Sequence, residues 1–301
     1  MSDISNSTSG LSAQADDFNP YGYVPTEWVC ALFVALFALT TVLHIGQAWY
    51  SRLWFLLPTV CVAGLTEIIG WGGRLWSSKN PDLLDPFLMQ IVTTIIAPTP
   101  LIAANFIILG EMIRRLGHKY SRLSPMWYSI LFVSADVISL VVQAVGGAKA
   151  ATAAKNHTDA NAGGRIMLGG IVFQLACISV YMILAVEFIV RYLWDRPIRK
   201  MDVSKFESHV LTPKIKMLLA GLAFSSTVIF IRSVYRTIEL SDGWTGRIIA
   251  TQVYFNVLDG GMITLAFYCI NIFHPGWLLG HGPWAKQQEK TISEEVSEKS
   301  I

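Results

Sequence analysis

KMLLAGLAFSSTVIFIRSVYRTIEL, residues 216–240, runs from an apolar stretch into a segment that holds Arg232, Arg236 and Glu239. About 20 mainly apolar residues cross a hydrocarbon core as a helix. Ionisable groups at that depth face a bundle interior or a wet cavity rather than lipid. The stretch therefore reads as a membrane helix with one polar stripe, and the stripe requires partner helices. Apolar runs at 27–49, 53–76, 87–113, 125–147, 166–190 and 248–273 join the one at 214–238 to make seven spans. Pro98 and Pro100 interrupt the third, where a kink is expected.

The composition agrees. The 301-residue chain is 53% hydrophobic and 15% charged, against about 25% charged residues in soluble domains. The fold class expected is an all-α, seven-helix membrane bundle. Residues 1–26 read as a polar tail, 27–273 as the transmembrane domain, and 274–301 as an interfacial segment followed by a polar tail. The first 25 residues hold Asp3, Asp16 and Asp17 but no Lys or Arg, so they lack the basic region of a cleavable signal. The four cysteines (Cys30, Cys61, Cys177, Cys269) lie in apolar runs without metal-ligand spacing and read as buried thiols. Ten tryptophans fit interfacial anchoring.

Seven spans put the termini on opposite sides. With the N-terminus outside, the outer loops and flanks hold only Lys79, Lys149, Lys155, Arg165 and Arg247, while the remaining loops and the C-terminal tail hold most of the Lys and Arg. The positive-inside rule selects that orientation. Two sequons, at Asn6 and Asn156, then both fall outside as candidate glycosylation sites.

Polar stripes recur at helical spacing. They comprise Glu67, Gly70 and Arg74; Asp136, Ser139 and Gln143; Arg232, Arg236 and Glu239; and Gln252, Asn256 and Asp259. Each set occupies one helical face. In the N-out orientation these residues, with Gln90 and Gln174, crowd the outer half, and Asp136 sits near the middle. A shared interior cavity follows, with three arginines facing four acids. Near balance is what a buried network needs. The same set could serve as a ligand site or as a brace between helices.

Several classes of function fit poorly. Of six histidines only His44 lies within a span, and there is no HExxH or in-span pair of histidines one turn apart, so no metal site is expected and a metalloenzyme is disfavoured. His44 is the one obvious axial ligand for the alternative of haem or porphyrin binding, and otherwise no cofactor is expected. A lipid receptor or sensor is a further alternative. The third span ends in ILGEMIRR rather than a DRY-type motif, however, and the seventh lacks NPxxY. No nucleic-acid partner is expected. The oligomeric state is open.

The motifs YGYVPTEW (21–28), TEIIGWGGR (66–74), IIAPTPLIAANFIILG (95–110), SADVISLVVQAVGG (134–147), GGRIMLGGIVFQ (163–174), IRSVYRTIELSDGWTG (231–246), VYFNVLDGGM (253–262) and FHPGW (273–277) stand in order along the chain. In them the chain resembles the fungal RTA-like family, also called the lipid-translocating exporter family. The resemblance implies a seven-span membrane protein with an outside N-terminus. It implies export of sphingoid long-chain bases, resistance to toxic amphiphiles and, in some members, porphyrin movement. A plasma-membrane location and a lipid or long-chain amphiphile partner come with it. Glu67, Gly70, Arg74, Asp136, Gln143, Gln174, Arg232, Arg236, Glu239 and Asp259 match its motifs, and Tyr235 and Asn256 lie inside them. Gln252 stands where the family often has Glu, and an amide cannot carry a proton or pair with Arg as an anion. The expectation is that Asp136, Glu67 and Asp259 meet a cationic head. The three arginines would hold those acids, and Gln143, Gln174 and Gln252 would add neutral hydrogen bonds.

Overall fold

The computed structural model describes residues 21–156, 158–198, 211–243 and 246–279. Residues 1–20 of the expected 1–26 tail, with Asn6, and residues 280–301 lie outside the described residues. Seven helices are long and apolar enough to span a membrane: Glu27–Ser51, Trp54–Lys79, Leu84–Leu116, Pro125–Ala153, Asn161–Leu193, Pro213–Ser241 and Gln252–Leu279. No strand occurs among the described residues. The sixth span starts where its sequence says it should. Thr212 caps it by accepting the Ile215 N–H, and Pro213 occupies the first helical position.

Helix ends depart most from the apolar runs between the fourth and fifth spans. The fourth helix continues to Lys155 and the fifth begins at Asn161, leaving a short linker where 148–165 reads as a loop. Hydropathy marks the membrane, whereas helix length follows propensity. AKAATAAK is rich in alanine, the strongest helix former, and carries the helix on. Two irregularities are not legible as periodicity. Leu57–Cys61 in the second span and Phe255–Gly261 in the seventh are π-helical turns.

Each span packs against the next, and the seventh returns to the first, closing a ring. The third lies at the centre, contacting the sixth as well as its neighbours. Its most apolar stretch is 72% buried, against 28% in the first, fourth and fifth spans. The fourth and fifth approach closely at Gly146 and Gly163. A Cβ on Gly146 would collide with Met167 N, and one on Gly163 with Ala150 N. Without a hydrophobic drive between helices in lipid, such close backbone packing holds the pair.

Outward faces are apolar, and tryptophans mark their edges. Trp28 and Trp49, both largely exposed, sit near the two ends of the first span. The 21 helical steps from Trp28 to Trp49 span about 31 Å, close to the ~30 Å of a hydrocarbon core. Trp71 is the exception to interfacial anchoring. It is fully buried and stacks on Phe33, with ring centroids 4.1 Å apart. Linkers 117–124 and 194–198 define the end called basic here. Linker residues 80–83, 156, 158–160, 242–243 and 246–251 define the distal end.

Candidate functional site

The distal halves of the second, third, sixth and seventh spans enclose a charged cluster. Its first anchor is Thr94. In a regular helix the N–H of residue 98 would bond the Thr94 carbonyl, but Pro98 has no N–H. The free carbonyl accepts Arg232 Nη2 at 2.5 Å. The Thr94 hydroxyl accepts Arg236 Nη2 at 2.9 Å while donating to Gln90 O. One residue next to a proline break thus holds both arginines.

Asp259 Oδ1 pairs with Arg232 Nε and with Arg236 Nε, each at 2.8 Å. Arg236 Nη1 also reaches Glu239 Oε2 at 2.7 Å, and Tyr235 donates its hydroxyl to Glu239 Oε1 at 2.7 Å. All four charged groups are at most 6% exposed. Removing one partner of such a buried pair costs about 3–5 kcal/mol, because the other is left uncompensated. The π turn at Phe255–Gly261 brings Asp259 inward beside Gly260, where a Cβ would strike the Trp71 indole. Glu67 is also fully buried, and neither of its carboxylate oxygens has a hydrogen-bond partner.

Arg74 occupies a different setting. Its Nη1 donates to Gln90 Oε1 at 3.2 Å and its Nη2 to the Tyr23 hydroxyl at 2.7 Å. Nε has no partner, and no ion pair involves Arg74 among the described residues. Rings of Phe255, Tyr21, Tyr23 and Trp71 surround the guanidinium at 4.4–5.7 Å. Each such contact is worth about 0.5–2 kcal/mol. The segment before the first span is therefore part of the site. Tyr21 donates to Gln90 Oε1 at 2.7 Å and packs edge-on against Phe87. Burial pushes the Tyr21 phenol up to about 12, against the pull of Arg74, and raises Tyr23 for the same reason.

The remaining stripe does not join this cluster. Ser139 Oγ donates to Gly170 O at 2.6 Å. Gln143 Nε2 donates to Ser139 Oγ and to Gln174 Oε1, and Gln174 Nε2 reaches Thr99 Oγ1 at 3.2 Å. This second set links the third, fourth and fifth spans. Asp136 is buried with it, has an unpartnered Oδ2, and makes no ion pair or hydrogen bond to the arginines. The single shared interior expected from the sequence is thus two polar sets. Gln252 accepts the Thr26 hydroxyl at 3.1 Å near the distal surface, and Asn256 is half-buried with Oδ1 unpartnered. His44 lies elsewhere, fully buried, with Nε2 3.2 Å from Phe267 O. Service as an axial haem ligand through Nε2 would require that contact to break.

Three cavities meet the charged cluster. A mouth of about 380 Å³ at the distal end lies between the fifth and sixth spans and is lined by Arg165, Glu239 and Asp242 among others. Glu239, Leu240 and Ile249 line both this mouth and a chamber of about 20 Å³ beneath it, whose wall includes Arg74, Arg236, Gln90 and Tyr23. A lateral groove of about 470 Å³ runs between the sixth and seventh spans, lined by Ile231, Val234, Tyr235, Ile238, Arg247, Ile248, Tyr254 and Leu258. Tyr235 on the groove bonds Glu239 at the mouth, so one turn of the sixth span separates an apolar cavity from a polar one.

Of the sequence-derived residues, Glu67, Arg74, Arg232, Tyr235, Arg236, Glu239 and Asp259 come together; Gln143 and Gln174 form the second set, and Asp136 bonds to neither. Thr94, Tyr21, Tyr23 and Phe255 were missed as site residues. The YGY triplet before the first span carried a signal for the two tyrosines. The Thr94 carbonyl carried none beyond Pro98. The family model described as RTA1 like protein matches residues 60–282. Among curated relatives, the sphingoid long-chain base transporter RSB1 of Saccharomyces cerevisiae is 31% identical over 92% of this chain and 80% of its own length. Protein RTA1 of the same yeast is 29% identical, over 86% of this chain and 87% of its own. Protoporphyrin uptake protein 1, also from that yeast, is 24% identical over 87% and 94%. No solved structure matches the chain.

Proposed function

This chain belongs to the RTA1-like protein family, and on that premise we propose that it translocates a long-chain amphiphile, of the sphingoid-base class, out of the membrane. The observation that carries the reading is the pairing of unlike cavities across one helical turn. The lateral groove offers apolar side chains to a hydrocarbon tail. The mouth offers Asp242 to an ammonium head, while Glu239 on the same wall is held by Arg236 and Tyr235. Glu239 touches both through Tyr235.

This arrangement moves the head-binding role from the sequence expectation. Asp259 is committed to two arginines, and Asp136 is buried on the fourth span without a bond to the charged cluster. Glu67 remains as a buried acid deeper in the cluster. The distal end faces the cell exterior in this reading, as the placement of Lys and Arg indicates, and the protein works in the plasma membrane without catalysing a reaction. Downhill escape of the head through the mouth is the step the protein assists.

Efflux of a radiolabelled sphingoid base from cells expressing the chain tests this. Ile238→Trp fills the groove, and Asp242→Asn removes a carboxylate from the mouth. Each is expected to slow efflux about tenfold at equal surface abundance, the effect of roughly 1.4 kcal/mol lost from binding. Unchanged efflux in both variants would sink the assignment.

A further inference from the structure

The chamber beneath the mouth has an excess of hydrogen-bond donors. Arg74 Nε is buried and unpartnered, on a residue 1% exposed. The Tyr23 hydroxyl accepts from Arg74 and keeps its own proton to give. Gln90 Oε1 takes both Arg74 and Tyr21, and its Nε2 makes no hydrogen bond. All three residues line the chamber.

Charge points the same way. Glu67, on the same helix, lies seven residues from Arg74, which is about 10 Å along the axis. Glu239, on the chamber wall, has one oxygen on Arg236 and the other on Tyr235. Arg232 and Arg236 share Asp259. Arg74 is left with neutral partners: an amide, a phenol, aromatic rings and the neighbouring Cys30 thiol. Ring faces attract the cation but leave the Nε–H without an oxygen or an anion to bond.

We propose that the chamber binds a monatomic anion, of which chloride is the abundant example, held by Arg74 Nε, the Tyr23 hydroxyl and Gln90 Nε2. Size selects the class. About 20 Å³ is room for one water-sized group, which excludes a tetrahedral oxyanion. The bound anion neutralises Arg74 and ties the segment before the first span to the second and third spans. It acts as a structural counter-ion next to the amphiphile path. The assignment stands whether or not the transported molecule is a sphingoid base.

The test uses the full chain purified in detergent, in gluconate buffer at constant ionic strength. Chloride and bromide are titrated while Tm and tryptophan emission are recorded, since Trp71 lies 5.7 Å from the Arg74 guanidinium. A saturable rise in Tm and saturable bromide quenching are expected. Tyr23→Phe should raise the half-saturating concentration about tenfold, the loss of one hydrogen bond to a charge. Arg74→Gln should abolish saturation, and Arg74→Lys should keep it at a weaker midpoint. A linear halide dependence that is identical in wild type and Tyr23→Phe would overturn the proposal. So would an equal, saturable response to phosphate.

Discussion

Thr94 presents two acceptors to the arginines of the sixth span, and only one of them is visible in its side chain. The hydroxyl is written in the residue. The carbonyl is freed four positions away, by the missing N–H of Pro98. Pro98→Ala would supply that N–H and set it in competition with Arg232. In a double-mutant cycle on denaturation, Pro98→Ala and Arg232→Gln should therefore be coupled by about 0.5–3 kcal/mol. Strict additivity would show that the freed carbonyl does not hold Arg232. The same logic explains which residues could be read from sequence. Arg232, Arg236 and Glu239 announce themselves by spacing on one helix. Thr94 does not, because its role depends on a break in backbone hydrogen bonding. Tyr21 and Tyr23 lie before the first apolar run, where hydropathy stops reporting.

Between helices, periodicity names a face but not its neighbour. Asp136, Ser139 and Gln143 repeat the spacing of Glu67, Gly70 and Arg74, yet Ser139 and Gln143 turn to the fifth span through Gly170 and Gln174. What decides the partner is close packing at Gly146 and Gly163, where backbone meets backbone. Gly163→Val should separate these two spans, because the new side chain would meet Ala150 N. Its effect should be read as a lowered Tm together with faster hydrogen exchange across 139–150 and 163–174. Unaltered exchange there would show that the pair does not depend on the contact. The π turns are a further limit of sequence reading. Both stand in apolar runs, one with Pro58 and one with Gly260 and Gly261. The second holds Asp259 within its turn, which no hydropathy profile records.

Over the whole molecule, run length and charge asymmetry were enough to lay out seven helices. The ring closure and the central third span rest on contacts between helices that a linear profile does not contain. The orientation argued from Lys and Arg can be checked with single added cysteines. The four native thiols give little background, since Cys30, Cys61 and Cys269 are buried and Cys177 is half-buried within a span. In intact cells a membrane-impermeant maleimide should label Asn156→Cys, whereas Lys119→Cys should react only after permeabilisation. The opposite pattern would invert the molecule and place the mouth toward the cytoplasm. The proline break bears on how such a chain can drift over generations. A lineage that replaces Pro98 recovers a helical bond and strands a guanidinium in the interior. One that loses Arg232 first leaves a bare carbonyl there. Neither step is neutral alone, so positions 98 and 232, on different helices, are expected to change together.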